Sequence, residues 1–507
     1  MSVLLAPAAR LHAALTDPAR RERTVLLVLA AYVAIWTLYA IVAKGSQDLH
    51  FDMGEVVVWS REVGWGGPKH PALAPWLAGA WFRLVPLSDA TFYLLAMAVA
   101  AAGLWIAWRV SADYLDPDKR VAGLALLTLL PFFNLQALKY NANTVLIPLW
   151  AATTWCFLRS FETRNIAWAA LAGAAAAAAV LGKYWSVFLL AGLGVAALAD
   201  PRRRAYFASA APWVTLAVGA LLIAPHLVWL VANDFVTVHY ARGVHDAETY
   251  ARAARDAGLY LLGAVAYLAL PVGLAMLAAR PSRAALLDSV WPAGPERRLA
   301  AVAFLAPLLL PVLVAPAAQL SITSLWTMSG MTLLPVLLLA SPQVALSPAA
   351  AVRVLALALV VPLVMVLASP LIAAVIHRTG VPHGAAHYRQ VAGAVERIWT
   401  ETSAAPLRIV GSHTELLYGI GPYLARQPSL LEIVNPQVTP WVDGARVARE
   451  GAALVCPASH GHCMRALAAW MRRGDAARRV EIEISRTHFG VPGPSARYLV
   501  GIVAPRE

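Results

Sequence analysis

Long apolar runs dominate the pattern of hydrophobic and polar positions. Runs of about 17–25 residues are long enough to cross a bilayer as helices. The pattern predicts about eleven such spans, near 25–43, 89–108, 121–137, 143–158, 166–182, 185–199, 209–232, 258–279, 299–316, 330–346 and 351–376. A further apolar stretch, 71–87, contains Arg83 and is interrupted by prolines. We interpret it as re-entrant or interfacial, and a true span is the less favoured alternative.

Basic residues follow every second predicted span. They are Arg109, Lys119, Arg120, Arg159, Arg164, Arg202, Arg203, Arg204, Arg280, Arg283, Arg297 and Arg298. Because short cytoplasmic loops are rich in Lys and Arg, these connections are predicted to face the cytoplasm. The arginine-containing N-terminus, 1–24, should lie there too. The alternate loops, 44–88, 138–142, 183–184, 233–257 and 317–329, should then face outward.

After the predicted multi-span domain, 25–376, the composition changes. An odd number of spans leaves residues 377–507 outside, and this tail is richer in charged residues. Strands are predicted at Leu407–Val410, Ala452–Cys456 and Val480–Ile484, with helices at Thr414–Ala425 and His462–Arg472. We therefore expect a soluble α/β domain.

The three cysteines fall in two different settings. Cys156 lies within a predicted span, where a thiol is an ordinary packing residue. Cys456 and Cys463 lie in the outward domain, in an oxidising compartment. A disulfide between them and two free thiols both fit this setting. A metal site with His460 and His462 is less favoured, because the usual ligand spacing is missing.

The composition supports a membrane protein. Hydrophobic residues make up 60% of the 507 positions and charged residues 14%, against about 45–50% and 25% in soluble proteins. These values exclude a soluble enzyme, a disordered scaffold and a small disulfide framework. The formal net charge of +13 largely reflects topology, so no nucleic-acid partner is expected. We expect an all-α polytopic protein of a bacterial inner membrane, with a small C-terminal α/β domain in the periplasm.

The first outward loop carries paired carboxylates. Asp52 and Glu55 are three residues apart, so on a helix they share one face, just beyond the first span. Carboxylates held close together push their pKa values apart, which suits one of them to act as a base. The alternative is a solvated helix face with acids favoured by the helix dipole.

A Gly/Pro-rich turn follows, with Lys69 and His70 between Trp65 and Trp76. Lysine is a strong point charge for phosphate, and indole rings favour the headgroup level. Interfacial anchoring by Trp with headgroup contacts by Lys is the simpler alternative.

Two very short outward turns also carry lysines. Lys139 and Asn143 flank one turn, and Lys183 and Tyr184 form the other. A cation between such apolar segments is costly unless it is paired or serves a site, although snorkelling to lipid phosphates would also satisfy it. Arg242 lies in a later outward loop and is a weaker candidate. No Walker loop, dinucleotide fingerprint or HExxH motif occurs, so no pattern for ATP binding is recognised.

These motifs resemble a known family. Phe51–Glu55, Pro68–Trp76, Lys139–Asn143, Leu181–Tyr184 and a trailing outer domain are similar to the family 39 (protein O-mannosyltransferase-like) membrane glycosyltransferases of the GT-C fold. That family includes bacterial lipid A aminoarabinose transferases and rhizobial galacturonosyltransferases. The similarity covers roughly 25–376 and is clearest over 45–200.

The resemblance implies a polyprenyl-phosphate-linked sugar as donor and an inverting transfer at the periplasmic face. The acceptor would be lipid A or another lipid, a glycan or a protein. By the same resemblance Asp52 would be the general base, Glu55 would position the acceptor or a metal, and Lys69 and Lys183 would neutralise the leaving phosphate. His70 falls where relatives have a His or Lys before two prolines, a pair that here is Pro71-Ala72. Dependence on a divalent metal stays open, because relatives differ.

Two other functions fit a polytopic chain. A flippase or transporter of lipid-linked sugars would need polar residues along a path through both leaflets. The sequence shows no mid-membrane series of charged residues, which favours chemistry at one face. A non-catalytic envelope scaffold would tolerate loss of Lys69, His70 and Lys183.

Overall fold

The computed structural model describes residues 2–473 and 475–505. Contacts divide the chain into two compact units. The helical unit comprises Met1–Thr37 and Leu94–Met365, and the sheet unit comprises Leu38–Tyr93 and Val366–Glu507. The sheet unit thus combines the first predicted outward loop with the C-terminal tail, whereas the sequence pattern placed a boundary only near residue 376.

Within the described residues, helices account for most of the chain. They are α1 (Ser2–Thr16), α2 (Arg21–Ala43), α3 (Phe51–Glu62), α4 (Leu73–Leu84), α5 (Asp89–Ser111), α6 (Pro117–Thr128), α7 (Ala142–Thr163), α8 (Ile166–Gly182), α9 (Ser186–Ala199), α10 (Arg203–Phe207), α11 (Ala211–Ala232), α12 (Val236–His245), α13 (Tyr250–Ala279), α14 (Arg283–Val290), α15 (Pro295–Ala317), α16 (Leu334–Leu339), α17 (Pro348–Thr379), α18 (Tyr388–Thr402), α19 (Thr414–Ile420), α20 (Gly444–Glu450) and α21 (Gly461–Arg473). Short 3-10 helices lie at Pro131–Phe133, Ser324–Leu333, Pro382–Gly384, Gly421–Tyr423 and Pro436–Val438.

Six of the described helices are long and apolar enough to cross a membrane: α2, α5, α11, α13, α15 and α17. They coincide with six of the predicted spans, so the prediction of a multi-pass helical membrane protein is confirmed. Predicted spans 143–158, 166–182 and 185–199 are also helical, as α7, α8 and α9.

Two predicted spans form shorter helices than expected. In 121–137, α6 ends at Thr128 and Pro131 begins a 3-10 turn, because proline cannot continue the helix. In 330–346, a 3-10 segment precedes the six residues of α16. The interfacial stretch 71–87 holds the 12-residue α4, about 18 Å long, which is shorter than the roughly 30 Å hydrocarbon core.

One five-stranded sheet forms the C-terminal part of the sheet unit. Its strands are β1 (Ile409–Ser412), β2 (Ser429–Glu432), β3 (Ala452–Pro457), β4 (Asp475–His488) and β5 (Val491–Ala504), in the spatial order β2-β1-β3-β5-β4. The strands β2, β1 and β3 run parallel, and β5 pairs antiparallel with both β3 and β4. The predicted α/β tail is confirmed, while β2 and β5 were missed.

The strands β1, β2 and β3 are buried on both faces of the sheet. One face packs with α18 and α19 around Tyr388, Trp399 and Tyr418, and Trp59 of α3 joins this cluster. The other face packs with α20 and α21, where Cys456 and Cys463 form a disulfide with a Cα–Cα distance of 5.7 Å. Of the two states that the sequence left open, the structure therefore shows the disulfide, and Cys156 is a buried free thiol.

A glycine allows α3 to pack directly on α19. A Cβ atom at Gly54 would lie 1.9 Å from the carbonyl oxygen of Tyr418, a distance that no relaxation of a flexible side chain could relieve. The helix that carries Asp52 and Glu55 therefore lies in backbone contact with the C-terminal domain.

We predict that Gly54→Ala lowers the free energy of unfolding by about 1–3 kcal/mol, because overpacking outweighs the gain in helix propensity of roughly 1 kcal/mol. The measurement is denaturant unfolding in mixed micelles. Gly393→Ala in α18 is the matched control, since its position is exposed and a Cβ there would meet nothing within 4 Å. Equal stability of the two variants would contradict the close contact.

Candidate active site

Asp52 lies in the first turn of α3, where the helix dipole favours a negative charge. His50 caps this helix, since its Nδ1 accepts a hydrogen bond from the Asp52 backbone N–H at 3.1 Å. The same Nδ1 lies 3.8 Å from Asp52 Oδ1. The Asp52 side chain is 25% exposed, so its carboxylate can be reached from solvent.

Glu55, one turn later, has a different environment. Its side chain is 8% exposed and accepts a hydrogen bond of 2.5 Å from Lys69 Nζ. Burial raises the pKa of Glu55, while the Lys69 ammonium opposes this rise and Asp52 adds to it. Glu55 and Lys69 thus neutralise each other in a poorly solvated position.

The turn after α3 holds Lys69 and His70. Gly67 N–H donates to His70 O at 3.0 Å, and Gly66 pairs with Pro71 in an isolated bridge. The Lys69 ammonium lies 5.4 Å from the centre of the Tyr418 ring, whose hydroxyl accepts from Trp59 Nε1 at 3.2 Å. The His70 ring lies 6.5 Å from that of Trp59.

A buried carboxylate fixes the segment before α3. Asp48, whose side chain is 1% exposed, accepts from the Arg389 backbone N–H at 3.0 Å and from Arg486 Nη1 at 2.9 Å. Burial raises the pKa of Asp48, and these two donors oppose the rise. Arg389 also binds Asp89 at 2.9 Å, and Asp89 accepts from the Tyr423 hydroxyl at 3.0 Å.

The helical unit contains the other predicted residues. Lys183 Nζ donates to Asn143 Oδ1 at 2.8 Å and lies 4.4 Å from the centre of the Trp326 ring. The Tyr184 hydroxyl lies 2.8 Å from Nε2 of His226. Lys139 is half-buried, and Arg242 is exposed on α12. Burial lowers the pKa of His245, and the positive charge of Lys183 lowers it further.

The nine predicted residues therefore fall into two groups. Asp52, Glu55, Lys69 and His70 are brought together in the sheet unit. In the helical unit, Lys183 donates a hydrogen bond to Asn143, and the Tyr184 hydroxyl contacts His226. Sequence reasoning missed His226, Asp48, Arg389 and Arg486. Asp48 lay within the acidic loop, but nothing in the local pattern points to its basic partners.

No group of three or more His, Cys, Asp or Glu side chains that could hold a metal ion is found within 2–473 and 475–505. Glu55, which the resemblance connected with a metal or the acceptor, is paired with Lys69 instead.

The first evidence from known proteins concerns sequence. A family model described as dolichyl-phosphate-mannose-protein mannosyltransferase matches residues 69–229. A lipopolysaccharide core galacturonosyltransferase, RgtB from Rhizobium johnstonii, is 26% identical over 335 residues. The alignment covers 63% of this chain and 66% of RgtB, just under two thirds of that relative.

Solved structures show the same fold. ArnT from Cupriavidus metallidurans bound to undecaprenyl phosphate superposes with a TM-score of 0.64 at 12% identity, covering 95% of this chain and 99% of ArnT. Its apo state gives a TM-score of 0.58 at 11% identity, with the same coverage. The chain resembles the protein O-mannosyltransferase family and has the GT-C fold. The predicted family resemblance and fold class are confirmed.

We predict that Lys69→Met lowers the free energy of unfolding by about 3 kcal/mol, because it leaves Glu55 buried without its cation. The double variant Glu55→Gln, Lys69→Met should recover at least half of this loss. Denaturant unfolding in mixed micelles measures both. Arg252→Met is the control, since its partner Glu248 is 76% exposed and such surface pairs contribute little. If Lys69→Met unfolds like the parent but binds donor poorly, Lys69 serves the substrate instead of Glu55.

Proposed function

We propose that this protein is a membrane glycosyltransferase that moves a sugar from a polyprenyl phosphate to a hydroxyl of its acceptor. The family match, the galacturonosyltransferase relative and the GT-C fold support this class of reaction. ArnT was solved with undecaprenyl phosphate, which supports a polyprenyl-phosphate donor here. The acceptor is proposed to be lipid A or another lipid, a glycan or a protein.

Asp52 is the proposed general base, and its accessibility is the observation that carries this role. Of the two acids on α3, Glu55 is buried against Lys69, whereas a quarter of the Asp52 side chain is exposed. The Asp52 carboxylate would take the proton of the acceptor hydroxyl while its oxygen bonds to the anomeric carbon. The bond from that carbon to the phosphate oxygen would break, and the phosphate would leave with the electron pair. Attack from the opposite face would invert the configuration.

In the helical unit, Lys183 is the proposed phosphate-binding cation. Its ammonium is held by an amide oxygen and an indole face, and its positive charge contributes to the lowered pKa of His245. A lysine held in this way can offer its charge to a phosphate. Lys69 would instead have to leave the Glu55 carboxylate, which makes it the weaker candidate for this role.

We predict that Asp52→Asn lowers the transfer rate by about 100- to 10,000-fold, the range typical of losing a general base, without unfolding the protein. The assay follows transfer from a purified polyprenyl-phosphate sugar to envelope lipids. Asp443→Asn is the matched control, because Asp443 caps α20 through Arg446 N–H and asparagine is an equally good cap. Transfer by Asp52→Asn at the parent rate would exclude the proposed mechanism.

We further propose that the protein lies in a bacterial inner membrane with residue 52 in the periplasm. The alternating basic connections and the Cys456–Cys463 disulfide support this orientation. A reporter fused after residue 88 should be active only in its periplasmic form, and one fused after residue 204 only in its cytoplasmic form. The reverse result would separate Asp52 from a periplasmic donor and contradict the proposal.

A further inference from the structure

The sheet unit carries a second group of titratable side chains, which we name the histidine–glutamate cluster: His383, His413, Glu415 and His460. The ring centres of His413 and His460 lie 4.2 Å apart. Glu415 Oε2 lies 3.9 Å from His413 Nε2, and Glu415 Oε1 lies 2.8 Å from His383 Nδ1. The side chains of His383 and Glu415 are 42% and 35% exposed, so the cluster has an open side.

The topology of the sheet explains this position. His413 directly follows β1, and His460 follows β3, which are adjacent parallel strands. The chain continues from β1 to β2, which lies on one side of β1 in the sheet, and then returns to β3, which lies on the other side of β1. The connections therefore diverge between β1 and β3. In open α/β sheets, ligands bind in the crevice at the carboxyl ends of strands at such a switch point.

The loop that carries His460 is held in place. The disulfide between Cys456 and Cys463 closes the connection from β3 to α21. His460 Nδ1 accepts a hydrogen bond of 3.2 Å from the Cys463 backbone N–H. The imidazole is therefore oriented before any ligand arrives.

The cluster lies beside the segment that carries Asp52. The ring of His383 lies 5.3 Å from that of Phe51 and 6.5 Å from that of His50, the residue that caps α3. At the end of β2, burial raises the pKa of Glu432, while two backbone N–H groups and the charges of Lys69 and His460 oppose this rise. Residues of the first loop thus approach the cluster at His383.

The chemistry of these groups suits hydroxyls better than anions. Burial lowers the pKa of His413 to about 4, and the nearby His460 adds to this effect against the opposing Glu415. His413 is therefore neutral at physiological pH, with one ring nitrogen as donor and the other as acceptor. The Glu415 carboxylate lies between His383 and His413 within the cluster, which disfavours a phosphate group there.

We infer that the histidine–glutamate cluster binds the hydroxyl groups of an uncharged sugar in a carbohydrate acceptor. This inference rests on the proposed function and extends it, because it gives the C-terminal domain the acceptor subsite next to Asp52. A sugar hydroxyl can both donate and accept hydrogen bonds. It can therefore donate to a carboxylate and accept from the N–H of a neutral imidazole at the same time. The open side at His383 and Glu415 is where such a sugar would enter.

The test measures binding to the full-length protein in lipid nanodiscs. The probe is core oligosaccharide released from lipopolysaccharide and dephosphorylated, compared with its phosphorylated form. Glu415→Gln and His460→Asn should each weaken binding of the dephosphorylated probe by about 10-fold, the loss typical of a hydrogen bond to a charged or buried group. Asparagine at position 460 keeps an acceptor for the Cys463 N–H.

His462→Gln is the matched control, because His462 is exposed, lies two residues from His460 and contacts only the side chain of Arg465 among its described hydrogen bonds. It should bind the probe within about 2-fold of the parent. His383→Gln at the exposed rim replaces Glu415→Gln if the latter does not fold. The phosphorylated probe should bind more weakly than the dephosphorylated one.

Failure of this inference can be distinguished from failure of the proposed function. If the parent binds neither probe, or if the cluster variants bind like the parent, the inference is wrong, whatever the transfer assay shows. If the cluster variants lose binding but the parent neither transfers nor hydrolyses a polyprenyl-phosphate sugar, the proposed function is wrong and the carbohydrate site stands.

Discussion

The sheet unit depends on one buried carboxylate. Asp48 lies between the first apolar helix and α3, and its side chain is almost inaccessible to water. Such a group is tolerated only where donors replace its hydration, and here an arginine side chain and a backbone N–H do so. Both donors come from the C-terminal part of the chain. They therefore fix the segment before α3 against the C-terminal domain.

Burial gives the two carboxylates of α3 different environments. Asp52 and Glu55 lie one turn apart, yet one is partly solvated and the other is enclosed with a lysine. The enclosed pair lies beside the Tyr418 ring, and the Asp52 carboxylate remains accessible to solvent. Because both carboxylates lie on one helix, their mutual geometry is fixed.

Much of the fold could be predicted from local patterns. Hydropathy located the long helices, short strand-like runs located β1, β3 and β4, and a helical pattern located α21, since these signals lie within short windows. The strand β2 was missed, although at four residues it is no shorter than β1, which was located. The strand β5 was also missed, although Gly490, with a φ of 77°, marks the turn that separates it from β4.

The candidate site could be predicted only in part. The spacing of Asp52 and Glu55 indicated one helix face, and both residues lie on α3. The hydrogen bond from Lys183 to Asn143 was not predicted, since it joins two separate turns. The pairing of Glu55 with Lys69 was not predicted, since it depends on a reversal of the chain over 14 residues. The contacts of Asp48 could not be predicted from local sequence patterns, because they join residues hundreds of positions apart.

The contact between Asp48 and Arg486 also sets the order in which a newly made molecule can mature. These residues are 438 positions apart, so a ribosome adding about 5–20 residues per second needs roughly 20–90 s to supply the second after the first. During that interval α3 lacks the partners that hold it. A nascent or prematurely terminated chain therefore enters the membrane without the contacts that hold the segment before α3.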